Sequence, residues 1–194
     1  SSHFGPRFGS RPACAEGVAR LGMGGHTPED GPASPFFQDG LVLACFLAVA
    51  ISYLDRVNIS VAILHMSKLF GWGHSMVGTI LSAFFVGYIL TQVLGGALAE
   101  RFGGTVVLGA SVVLWSLFCA ATPLAAGLGV PALLAARVGL GVCEGVTFPA
   151  IYGMLGRWLP ARRHGMAVGL VISGIPAGNV LGLATTAHII RALG

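Results

Sequence analysis

From position 40 onward the chain alternates long apolar stretches with short polar breaks. Residues 75–99, 102–136 and 165–187 contain no Asp, Glu, Lys or Arg. A helix of roughly 20 mostly apolar residues crosses the hydrocarbon core of a bilayer. Apolar length and Gly/Pro punctuation together predict five helices, at approximately 40–64, 75–98, 104–124, 130–155 and 165–188. Short links join them: Lys68 to His74, Glu100 to Gly104, Thr122 to Val130 with Pro123 and Pro131, and Arg157 to His164. The expected fold is an all-α polytopic membrane protein with its bundle over 39–194. Residues 1–38 lack apolar periodicity and are rich in Gly, Pro, Ser and Arg, which predicts a disordered, solvated tail. Arg7, Arg11 and Arg20 would suit the end of an organelle transit peptide, whereas Glu16, Glu29 and Asp30 count against one.

Composition agrees with a bilayer setting. Hydrophobic residues make up 55% of the chain and charged residues 9%, against about a quarter charged in soluble domains. The net charge of +4 comes from eleven basic residues scattered among apolar spans. They form no stripe or patch, so a nucleic-acid partner is not expected. Cys14, Cys45, Cys119 and Cys143 have no metal-ligand spacing, and neither a metal nor a cofactor is expected. Loops on the cytoplasmic side carry excess Lys and Arg. Arg101, Arg157, Arg162 and Arg163 therefore put the second and fourth links on the amino-terminal side, facing the cytoplasm or its organellar equivalent.

Four ionisable residues fall inside the spans and need a reason to be there. An ionised group at the bilayer centre costs roughly 2.5–3.5 kcal/mol on insertion scales. These residues are Asp55 and Arg56 in the first span, and Arg137 and Glu144 in the fourth. Arg137 and Glu144 stand seven apart, which is two helical turns and nearly one face. Gly141 and Gly145 flank them, leaving room for a helix or a ligand. A guanidinium binds carboxylate or phosphate through paired hydrogen bonds, and a partly desolvated carboxylate beside it can take up and release a proton. Arg56 and Arg137 are thus candidate anion ligands, with Glu144 and Asp55 as coupling or gating acids. Two structural alternatives stand beside this: Arg137 and Glu144 as a fixed buried pair, and Asp55 as a neutraliser of its neighbour. The sequon Asn58-Ile59-Ser60 lies inside a span and should be unmodified.

Gly174, Gly178 and Gly182 recur every four residues, a spacing that allows close helix approach in lipid. Pro176 between them should bend the fifth helix. A weak echo relates two helix triplets: Arg56-Val57 to Arg137-Val138, GTILS at 78–82 to GLVIS at 169–173, and Arg101-Phe-Gly103 to Arg191-Ala-Leu-Gly194. Repeated three-helix units occur in transporters, with sites where the units meet.

Three blocks in order, DRVNISVAI (55–63), VGTILSAFFVGYILTQVLGGALAERFGG (77–104) and RVGLGVCEGVTFPA (137–150), resemble the major facilitator superfamily. Within it, the anion:cation symporter group is most alike, and the plant plastid phosphate and anion carriers most of all. The resemblance implies twelve helices in two bundles, of which about five, a partial N-terminal bundle, are present. It also implies secondary active transport of inorganic phosphate or small organic anions by alternating access, with a sodium ion or proton as the co-transported ion.

Carried across, Arg56 and Arg137 match the anion-facing arginines and Glu144 the coupling glutamate. Gly96, Glu100, Arg101 and Gly103 match the inner-gate loop. The expected partners are a small anion, the lipid bilayer and a missing C-terminal bundle, in a plastid or other membrane. Leu81 replaces the histidine of glutamate carriers, and Thr105 a basic residue of the gate loop. Five spans alone should expose the polar faces of the fourth and fifth helices to lipid. An intramembrane enzyme is disfavoured, since the histidines sit at span edges and no nucleophile and base share a depth. A receptor or scaffold that moves no solute remains a competing reading.

Overall fold

The computed structural model describes residues 34–193, and every regular element among them is helical. They run α1 Pro35–Phe70, α2 His74–Phe102, α3 Gly104–Leu128, α4 Val130–Gly145, α5 Thr147–Trp158, α6 Ala161–Ile172 and α7 Gly174–Leu193. α4 with α5, and α6 with α7, form single spans, so five segments are long and apolar enough to cross a membrane. The tail expected over 1–38 falls largely outside the described residues, as does Cys14. Its last residues are helical, because Ser34 caps α1 by accepting from the Phe37 N–H (3.4 Å) and Pro35 occupies the first turn. Pro there lacks only an N–H that the helix would leave unpaired. α1 closes at Gly71, in the left-handed region at φ 67°, with the Trp72 N–H donating to Ser67 O (2.9 Å). Its 36 residues would run about 54 Å.

Links are shorter than expected. α2 and α3 are separated by Gly103 alone, and α3 and α4 by Gly129 alone, at φ 88° and 115°. Pro123 lies inside α3 and not in the link, so the expected third span ends too early. A proline removes one helical hydrogen bond, and α3 continues past it. Elsewhere proline does interrupt the helix. The turn residues Val146 and Ser173 stand three positions before Pro149 and Pro176, which cannot donate to Gly145 and Ile172. The bend expected at Pro176 therefore has a counterpart directly after Glu144.

Two glycine seams hold the bundle. α1 packs along α7, and α2 packs along α4. A Cβ on Gly178 would overlap the Ala50 carbonyl oxygen, and one on Gly141 the Phe84 carbonyl oxygen. Such contacts replace the hydrophobic drive that lipid cannot supply. The room beside Gly141 and Gly145 is filled by α2.

Polarity is inverted relative to a soluble protein. Val93, Leu128, Leu124 and Leu183 point outward, while Ser52, Ser111, Thr122, Arg137, Glu144 and Thr147 are buried. The fourth span is the most enclosed, with 61% of its apolar window buried. This corrects the expectation that its polar face would lie against lipid: α1, α2 and α3 already cover it.

Candidate functional site

Glu144 stands fourteen residues from each end of the Val130–Trp158 span, and its side chain is fully buried. Its Oε2 collects donors from one face of α1. Ser52 Oγ donates to it at 2.6 Å, and Arg56 at 2.9 Å from Nε and 2.8 Å from Nη2. Ser52 and Arg56 are four residues apart, so the α-helical repeat sets both above the same acceptor. Glu144 Oε1 is buried without a hydrogen-bond partner among the described residues.

The Arg56 guanidinium lies over three rings: Tyr53 at 4.6 Å, Phe84 at 4.7 Å and Tyr88 at 4.9 Å. Ring faces attract a cation more strongly as water is removed. The cage and Glu144 together explain how a charge sits in mid-helix. The side chain keeps 21% of its surface exposed. One edge of the guanidinium is committed to Glu144, and the group stays partly exposed.

Arg137 lies elsewhere. It is 4% exposed, its Nη2 donates to Thr122 Oγ1 on α3 (3.1 Å), and its Nε is buried without a partner among the described residues. No ion pair joins Arg137 to Glu144 among the described residues, so a fixed Arg137–Glu144 pair is not what the fourth span contains; the partner of Glu144 comes from α1. Asp55 does not pair with Arg56 either. Its Oδ2 accepts from Cys119 Sγ on α3 (3.7 Å), so adjacent residues of α1 reach different partners.

The gate-loop residues form no such constellation. Gly96 is open on its Cβ side, and Gly103 makes the α2–α3 turn. Glu100 and Arg101 are exposed, and the Arg101 guanidinium rests over Phe102 at 5.5 Å. Leu81 packs against a small apolar cluster around Ile80 and Leu133. Asn58 accepts from Thr186 Oγ1 at 2.7 Å, tying α1 to α7 inside the bundle. Arg163 of the basic fourth link reaches Asp39 at 3.3 Å, which sets that link beside the start of α1.

Sequence reasoning missed Ser52 as a donor and Tyr53, Phe84 and Tyr88 as a cage. The i, i+4 spacing of Ser52 and Arg56 was a usable signal. No pattern within one helix could bring the rings of α2 to Arg56.

The model of the Major Facilitator Superfamily matches residues 45–194. The chain is 48% identical over 154 residues to "Probable anion transporter 4, chloroplastic" of Oryza sativa subsp. japonica, covering 79% of this chain and 26% of that protein. It is 46% identical over 167 residues to "Ascorbate transporter, chloroplastic" of Arabidopsis thaliana, covering 84% and 31%. With "Sodium-dependent phosphate transport protein 1, chloroplastic" of the same plant it shares 46% over 154 residues, covering 79% and 30%. The chain thus spans less than a third of the length of these relatives. With a five-span helical bundle and a family match over most of its length, the chain belongs to the major facilitator superfamily.

Proposed function

We propose that the protein, as part of a full carrier, moves inorganic phosphate or a small organic anion across a plastid membrane, together with a proton or sodium ion. The observation that carries this reading is the Arg56 guanidinium, caged by three rings, paired to buried Glu144 on one edge and still partly exposed. An intramembrane guanidinium that keeps part of its surface exposed is suited to an anion. The names of the chloroplastic relatives point the same way, to anions, ascorbate and phosphate.

In this reading the anion competes with Glu144 for Arg56. Once released, the buried carboxylate is an uncompensated charge, which strongly favours uptake of a cation. Anion binding and cation uptake are thereby coupled through one residue. We take the cation to be a proton, because protonation neutralises a buried carboxyl where it stands. Arg137 serves as a second guanidinium, reached when its contact with Thr122 opens. Alternating access follows as movement of this bundle against a second one about the site.

The test is counterflow and uptake by the full-length protein in proteoliposomes, using phosphate, glutamate, ascorbate and sialate, each with and without sodium. Exchange of at least one anion, competed by others and faster with an inward proton gradient, is expected. If none is moved, or if Arg56→Ala leaves transport intact, the reading fails. Sodium-dependent uptake indifferent to pH would replace the proton by sodium.

A further inference from the structure

We propose that Ser52 is a positioning residue for the coupling step: its hydroxyl holds the Glu144 carboxyl when the anion takes Arg56 away. The inference rests on the carrier reading above. Ser52 is buried, and its Oγ lies 2.6 Å from the same Glu144 oxygen that Arg56 holds. Arg56 can only donate, and its charge favours Glu144 as a carboxylate. A hydroxyl both donates and accepts. Ser52 therefore remains a partner whether Glu144 is ionised or protonated, and whether Arg56 is present or engaged elsewhere.

The consequence is energetic. With Arg56 on Glu144, three donor atoms crowd one oxygen, and the hydroxyl adds little. With Arg56 on the anion, Ser52 holds the one hydrogen bond left to a buried acid whose other oxygen, Oε1, has no partner. Removing the hydroxyl penalises that second state more than the first, because a buried charged group without a donor is costly. The anion would then displace Glu144 less easily.

The other charged or titratable groups acting on this cluster are Asp55 and Tyr53 on α1, Tyr88 on α2, Cys119 on α3, and Arg137 and Cys143 on α4. None of them hydrogen-bonds to Glu144 among the described residues. Asp55 is held by Cys119 and Arg137 by Thr122, which leaves Ser52 as the uncharged donor.

The experiment compares wild type, Ser52→Ala and Ser52→Thr in the full-length protein. Counterflow of labelled phosphate is measured against pH and phosphate concentration. Ser52→Ala should raise the KM about tenfold and displace the pH profile, and Ser52→Thr, which keeps the hydroxyl, should restore both. A fall in Vmax with KM and pH profile unchanged would mean that Ser52 only packs, and would overturn the proposal. A second measurement needs no transport: the infrared carboxyl band of Glu144, isolated by subtracting the Glu144→Gln spectrum, is titrated in wild type and Ser52→Ala. Superimposable bands would overturn the proposal. A displaced band in a wild-type protein that exchanges no anion would leave Ser52 as the residue holding Glu144 and remove the carrier reading instead.

Discussion

At Arg56, one side chain meets an acid and three rings, and each contact predicts a different loss. Arg56→Lys keeps the charge but loses the planar face and the two-nitrogen grip on Glu144. Phosphate exchange should fall about tenfold for a loss near 1.4 kcal/mol, while folded yield stays near wild type. Glu144→Gln removes the buried charge without removing its bulk. Net uptake driven by a pH gradient should then fall more than counterflow, and equal loss of both would assign Glu144 a structural role. The charged members of this site were legible in the sequence, because ionisable residues stand out within apolar spans. Their pairing was not. Arg137 and Glu144 share a helix face, yet Glu144 takes its partners from α1 and Arg137 its partner from α3. Asp55 and Arg56 are neighbours in sequence, yet the helix turns their side chains to different neighbours.

Among the helices, the spans were legible from apolar length, whereas their ends depended on signals that length does not contain. Ser34 and Pro35 start α1 earlier than the apolar run alone implies, and Pro123 is carried within α3, as membrane helices tolerate one lost backbone hydrogen bond. The glycine spacing correctly marked close approach in the fifth span, although only the fold shows that α1 is what approaches. Glycines therefore divide into two kinds, with opposite expected effects. Gly141→Ala would drive a Cβ into the backbone carbonyl of Phe84, and Gly178→Ala into that of Ala50. Each should lower stability by about 1–3 kcal/mol. A Cβ on Gly153 meets nothing within 4 Å, so Gly153→Ala should be neutral or stabilising by up to about 1 kcal/mol through helix propensity. Thermal unfolding of the purified variants in detergent separates the two; equal behaviour would mean that the seams do not hold the bundle.

For the whole molecule, the arrangement is a bundle with apolar residues outward and a small polar interior, its fourth span wrapped by the first three. The α1·α7 and α2·α4 seams cross-connect the first three spans with the last two. The family was legible because three blocks occur in order. The enclosure of the fourth span was not, since counting spans says nothing about which of them packs centrally.

The central claim is that Arg56 is where the anion binds, with Glu144 as its internal competitor. Arg56→Ala alone would leave Glu144 buried and unpaired, a defect of about 3–5 kcal/mol that would confuse folding with function. The paired variant Arg56→Ala/Glu144→Gln removes both charges together. In proteoliposomes matched for folded full-length protein, counterflow of labelled phosphate measured beside wild type should be lost in that variant. Wild-type rates of counterflow from the doubly neutral site would contradict the account.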